Sequence, residues 1–277
     1  MGLDGTRDAR KRRFEVSAVD TAAVRALYDR YERREAEETG MRREEAPGVV
    51  RLVDLWGDHS AIIYSELDAG SAGGAIRREK AHFAALGHEL EWKLFAHDGP
   101  PDLACRLEEQ GFRPEEPETV LALDLAQAPA NLLAPVSADV RVLRTPSELA
   151  DLTRVRSAVW PDDAGWLEER LSYMLRREPE RMSVYVVYEG GEPVCAGRIQ
   201  FPRQGGFAGI WGGATVPAKR RRGYYTALLA VRVQEALRRG MRYVTIDAGP
   251  MSLPIVAKHG FCEIARTQAF VRPAAEA

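Results

Sequence analysis

The residues most suited to chemistry lie between Val216 and Thr226, in the order Val-Pro-Ala-Lys-Arg-Arg-Arg-Gly-Tyr-Tyr-Thr. An apolar run, Phe207–Val216, precedes them, and an amphipathic stretch, Thr226–Arg239, follows. A strand, a tight basic turn and a helix start together make an anion site. The first helical N–H groups have no intrahelical partner, and the helix dipole is positive at that end. Gly223 lets the backbone approach a ligand with no Cβ in between. Arg220, Arg221 and Arg222 add planar cationic forks that match phosphate oxygens. Arginine at a helix N-terminus opposes the dipole, so a purely solvated role gains little there. The ligand this turn suits is a pyrophosphate.

The segment resembles the acyl-CoA binding loop of the GNAT superfamily of N-acetyltransferases, whose pattern is R/Q-x-x-G-x-G/A. Arg220, Gly223 and Tyr225 occupy the three positions, with Tyr225 standing where a small residue is usual. Further on, Tyr243–Asp247, Pro250–Lys258 and Gly260-Phe261 look like the family's fifth strand, fourth helix and closing Gly-Phe. The resemblance covers residues 140–272 and implies a cleft between two splayed strands. Acetyl-CoA would lie there as co-substrate. Its pantetheine would run along Gly213, Ala214, Thr215 and Val216, and its pyrophosphate would sit on the amides of Arg221, Arg222, Gly223, Tyr224 and Tyr225, ahead of Thr226.

By the same resemblance, an amine attacks the thioester directly in a ternary complex. That chemistry needs a neutral amine, a held oxyanion and a protonated leaving thiolate. A backbone N–H within 214–216 is the expected oxyanion donor. Many members protonate the sulfur with a tyrosine; counted back from Gly260-Phe261, that position holds Val256. A thiol with a pKa near ~8.5 is already a fair leaving group. Ser252 either relays a proton through water or caps the following helix. Asp247 either takes the amine proton or caps a turn. Asp162 and Asp163 either attract an ammonium or cap the next helix. His259 reads as a packing histidine, and the Tyr225 ring reads as packed beneath the helix start.

The elements that must position these residues fill a chain of 277 residues, enough for about two domains. Its 45% hydrophobic and 29% charged content is that of a globular protein, and a net charge of −2 argues against a general nucleic-acid binder. Cys105, Cys195 and Cys262 show no metal-ligand spacing, so no metal is expected. No apolar stretch suits a membrane span, and a cytoplasmic location follows. The expected division is a basic leader at 1–13, a degenerate GNAT-like domain at 14–126, a linker at 127–137 and the acetyltransferase domain at 138–277. The fold class is α/β (α+β): two GNAT-like domains, each with a mixed, mostly antiparallel sheet flanked by helices, and a splayed-strand CoA cleft in the second.

The first block is read as a helix over 20–38, strands over 49–55 and 60–67, a helix over 75–86, a strand over 90–96, a helix over 102–110 and a strand over 119–125. In the second block, the helix after the basic turn is read with Leu229, Val233, Ala236 and Leu237 inward and Arg232, Glu235, Arg238 and Arg239 in water. The two blocks align without gaps over His97–Phe112 and Ile246–Phe261. At the same offset Gly74 meets Gly223, while Ser71, Ala72 and Gly73 stand opposite the three arginines. Each charge-assisted phosphate bond is worth roughly 1.5–3 kcal/mol, so the first block is not expected to bind CoA well. It would serve as structure or as a wall of the acceptor site. The acceptor is a small-molecule or peptide amine, the chain a monomer or homodimer. The rival readings are an acyl-CoA-binding sensor or scaffold with little turnover, and a nucleic-acid binder using the arginines.

Overall fold

A computed structural model describes residues 19–57, 59–161 and 166–274. The basic leader and the pair Asp162 and Asp163 lie outside them. The first block runs α1 (Thr21–Tyr28), a turn of π-helix (Asp29–Arg34), β1 (Met41–Ala46), β2 (Val49–Asp54), β3 (Ser60–Ser65), α2 (Ala72–Leu86), β4 (Leu90–Phe95), α3 (Leu103–Glu109), β5 (Arg113–Pro114) and β6 (Glu118–Asp124). A short α4 (Ala130–Leu133) leads to the second block: β7 (Asp139–Leu143), α5 (Leu149–Ser157), α6 (Trp166–Arg177), β8 (Met182–Glu189), β9 (Glu192–Gln200), β10 (Phe207–Thr215), α7 (Tyr224–Arg238), β11 (Tyr243–Ala248), α8 (Leu253–Ala257) and β12 (Cys262–Arg272).

Local signals explain most of these elements. The Asp20 carboxylate accepts from the Ala23 amide at 3.1 Å and starts α1. Thr145 and Glu148 form a capping box ahead of α5. Gly190 and Gly191, at φ +60° and +88°, make the β8–β9 hairpin. The strand β1, Met-Arg-Arg-Glu-Glu-Ala, has no apolar alternation to announce it. It is the outermost strand, where charge protects an open edge.

All twelve strands join one sheet, in the order β1-β2-β3-β4-β12-β6-β11-β10-β9-β8-β7, with β5 beside β12. The two blocks therefore exchange their last strands. β6 of the first block pairs with β11 of the second, and β12 of the second pairs with β4 of the first. β6 is buried on both faces. Leu121 and Leu123 join the core of the second block, while Val120 and Ala122 face a core with Tyr28, Phe95 and Phe207. The segment read as a linker is docked: Leu132 is fully buried, and Gln234 on α7 donates to the carbonyls of Leu132 and Ala134 at 2.9 Å each.

The outward face of α7 departs from expectation. Arg232 is 1% and Glu235 8% exposed, whereas Leu237 is 44% exposed. Glu235 lies over β8, where it accepts from Ser183 Oγ at 2.9 Å and Tyr185 Oη at 2.7 Å. Arg232 donates to the Leu228 and Arg198 carbonyls at 3.0 and 3.3 Å. The helix lies flat enough on β8 and β9 that a broader face is covered, and strand hydroxyls supply the partners a buried charge needs.

Candidate functional site

β10 and β11 run parallel and pair only over Phe207–Gly209 and Tyr243–Thr245. Beyond Gly209 the strands part. β10 stays with β9 through a bulge between Trp211 and Ala214, with Gly212 at φ +59°. Gly213 must be glycine, because a Cβ there would come within 2.9 Å of the Tyr225 ring. The ring therefore packs under the start of α7, as its position suggested, and burial pushes its phenol pKa up. Ala214 is buried and pairs with Ala196 of β9. The Val216 amide donates to the Val194 carbonyl at 3.0 Å, so it is not free as an oxyanion donor. Backbone groups alternate between the two edges of a strand, which turns Thr215 toward the opening. There its carbonyl accepts from Arg220 Nε at 3.3 Å.

The basic turn is held in a left-handed conformation at two places, Arg221 at φ +62° and Gly223 at φ +83°. A Cβ on Gly223 would meet nothing within 4 Å. No acceptor among the described residues takes the amides from Arg221 to Thr226. Glu189, at the end of β8, accepts from Lys219, from the Tyr224 hydroxyl and from Arg222, the last at 3.0 Å. The hydrogen bonds from Lys219 and Tyr224 lead in pulling its pKa down to about 2. The Arg221 side chain has no hydrogen bond or ion pair among the described residues.

A non-glycine residue at positive φ costs ~1–2 kcal/mol, and glycine returns part of that as chain entropy. Arg221→Gly should therefore leave stability unchanged or raise it by up to about 1 kcal/mol. Losing one charge-assisted phosphate bond of ~1.5–3 kcal/mol should weaken acetyl-CoA binding at least tenfold. Denaturant unfolding and calorimetry on the same preparation check both signs.

The acid and base candidates are scattered around the opening. Asp247, on β11, is almost buried and ion-paired with Lys93 of β4. Burial pulls the Lys93 ammonium down, but Asp247 and Glu91 outweigh it and raise its pKa. Ser252 precedes α8 without capping it by its side chain; its hydroxyl donates to the Gly249 carbonyl at 3.3 Å. Val256 is fully buried. His259 packs against Asn131, Nδ1 to Nδ2 3.0 Å, and burial lowers its pKa.

Residues the sequence did not single out form a cavity of about 320 Å³ between the two blocks, bordered by Glu32, Lys93, Arg198, Trp211 and Thr245. It reaches Gly209, where β10 and β11 separate. Glu32 sits in the π-helical turn, a geometry often found at functional sites. Burial first, and Asp247 next, raise its pKa to about 8. Burial and the neighbouring Arg156 lower Arg198 to about 10. Arg198, a charged residue in the interior of β9 between Gly197 and Ile199, was the one local signal available; Glu32 gave none. Among the described residues, no group of three His, Cys, Asp or Glu could hold a metal, and no helix is long and apolar enough to cross a membrane.

Residues 148–261 match the model of the Acetyltransferase (GNAT) family. No curated protein matches the chain. Among solved structures, a GCN5-related N-acetyltransferase from Kribbella flavida is similar at 17% identity and a TM-score of 0.65, over 91% of this chain and 93% of that one. Another, from Sphaerobacter thermophilus, is similar at 19% identity and 0.56, over 81% and 76%. A tandem GNAT protein from the clavulanic acid biosynthesis pathway is similar at 16% identity and 0.54, over 93% and 88%. At these identities the likeness is one of fold, and it extends across both blocks.

Proposed function

We propose, from the premise that residues 148–261 form a GNAT acetyltransferase domain, that the protein transfers acetyl from acetyl-CoA to a primary amine by direct attack in a ternary complex. The observation that carries this is the run of unpaired amides from Arg221 to Thr226 beside the parted strands. The pyrophosphate rests on those amides, with Arg220, Arg221 and Arg222 around it. Phosphate oxygens would compete with Glu189 for Arg222. Pantetheine runs past Ala214, Thr215 and Val216 and pairs with the Thr215 backbone, displacing Arg220 from its carbonyl. The Thr215 N–H, turned to the opening, is the oxyanion donor this reading favours. Asp247, held by Lys93, shapes the acceptor wall rather than accepting the amine proton; Ser252 remains the candidate for a water-mediated relay to sulfur. The buried Val256 favours a second reading, an acyl-CoA-binding protein with little turnover. CoA release in an amine screen supports the enzyme; tight binding with none across the screen supports the sensor.

The first block has its own version of the turn, and it is filled from within. The Asp68 carboxylate accepts from the amides of Gly70 and Ser71 at 2.9 and 2.8 Å and from Ser71 Oγ at 2.8 Å. These bonds, Ser71 first, lower its pKa. A fixed carboxylate repels phosphate where the second block offers arginine. Calorimetry with acetyl-CoA is expected to give one site per chain. Two sites of comparable affinity would contradict the assignment of a silent first block.

A further inference from the structure

Two ionisable side chains, an acid and a base, border the cavity between the blocks without the partners that buried charges require. Glu32 makes no hydrogen bond among the described residues, and its Oε1 is shut off from solvent. Arg198, on β9, likewise makes no side-chain hydrogen bond or ion pair, and its Nε is shut off. The charges acting on Arg198 are mainly those of Arg156, Arg170 and Arg232, with Glu38 the one carboxylate. Glu38 is already held by Arg170 at 3.0 Å. Of the other ionisable groups on the same wall, Lys93 holds Asp247 and Arg33 holds Asp98, while burial raises the pKa of Glu91 beside Lys93. Glu32 and Arg198 do not pair with each other, although both face one cavity.

We propose that this cavity is the acceptor site, and that it selects a small primary amine bearing an anionic group, with the ammonium against Glu32 and the anion on Arg198. The proposal rests on the acyltransferase reading above. The cavity, at about 320 Å³, lies at the small end of the range for small-molecule sites. Its lining at Gly209 and Trp211 joins it to the parted strands, where the thioester would lie.

The step balances without another reactant. The ammonium gives one proton to the Glu32 carboxylate. The freed nitrogen lone pair attacks the thioester carbon, an N–C bond forms and the C–S bond breaks. The second proton, shed by the nitrogen, passes to the departing sulfur. The groups that set the ionisation of Glu32 are Asp247 on β11, Arg181 ahead of β8, Glu38 beyond the π-helical turn and Tyr28 on α1. With its pKa raised to about 8, Glu32 is mostly protonated at neutral pH, so turnover should rise as the pH climbs through 8 and the carboxylate that takes the amine proton forms.

The test compares 4-aminobutyrate and 6-aminohexanoate with butylamine, hexylamine, butyrate and hexanoate. Binding to the full chain is read by calorimetry, and acetylation by CoA release. At least one amino acid is expected to bind tenfold or more tighter than both the amine and the acid of its length. Arg198→Gln should remove that advantage while leaving the amine's affinity in place, and Arg198→Lys should restore part of it. Glu32→Gln should lower kcat more than it raises KM. Acetyl-CoA affinity reports whether each variant is folded. Equal affinity for amine and amino acid, or equal loss of both in Arg198→Gln, overturns the proposal. So does a wild-type chain that binds acetyl-CoA but no member of the series, and that outcome leaves the acyltransferase reading intact. Failure of the wild type to bind acetyl-CoA would instead remove that reading itself.

Discussion

Gly223→Glu is expected to abolish acetyl-CoA binding, with at least a hundredfold loss of affinity, while the chain stays folded. Three effects add at this position. The carboxylate enters space where nothing lies within 4 Å of a Cβ, so it reaches the amides and arginines unhindered. It then occupies the anion site as an internal rival, as Asp68 does in the first block. Displacing two charge-assisted phosphate bonds of ~1.5–3 kcal/mol each accounts for at least a hundredfold. The left-handed backbone, φ +83°, adds a strain of order 1–3 kcal/mol to folding. Gly223→Ala shares that strain but brings no charge, so it should lose far less affinity. Calorimetry on both variants, with circular dichroism for the fold, decides the matter. Retained binding in Gly223→Glu would place the coenzyme elsewhere.

Asp98→Asn is expected to destabilise the protein by about 3–5 kcal/mol, the usual cost of removing one partner from a buried ion pair. Arg33 is 2% and Asp98 3% exposed at their side chains, and the guanidinium forks onto the carboxylate at 2.8 and 2.7 Å. The same guanidinium reaches Asp29 at 2.7 Å and the Ile63 carbonyl at 3.1 Å, and stacks over Phe95 at 3.7 Å. The asparagine leaves most of that positive charge buried without its strongest partner. Replacing both members together, Arg33→Met with Asp98→Leu, should recover part of the loss, because no guanidinium is stranded, although among the described residues Asp29 keeps only His97 and the Phe95 amide loses its acceptor. Urea unfolding, compared at constant m-value, measures both. Because Glu32 adjoins Arg33 in the same π-helical turn, the single variant should also impair turnover. A loss below about 1 kcal/mol in Asp98→Asn would mean that the turn is anchored by its apolar packing instead.

The basic turn was legible because its function is written in consecutive residues: a strand, three arginines, a glycine and a helix start obey local rules. The parted strands could be anticipated only through family resemblance, since pairing that ends at Gly209 depends on a neighbour far along the chain. Glu32 and Arg198 were out of reach for the same reason. One sits on a helix, the other on a strand, and their juxtaposition exists only in three dimensions. Arg232 and Glu235 misled because helical periodicity predicts which face turns inward and not how wide a sheet covers it. The weak repeat located equivalent elements, yet it carried nothing about strand exchange. β6 has the same apolar composition whichever neighbour it pairs with.

That exchange imposes an order on synthesis. β6 ends at Asp124, and its partner β11 begins at Tyr243, so 118 residues lie between them. At ~5–20 residues per second, the nascent chain carries an unzipped apolar ribbon for roughly 6–24 s. β12 must then slot between two strands already made, since β4 and β6 flank it. β12 is thus the keystone of both blocks, and a message truncated shortly before it would yield two open sheet edges instead of half a working protein.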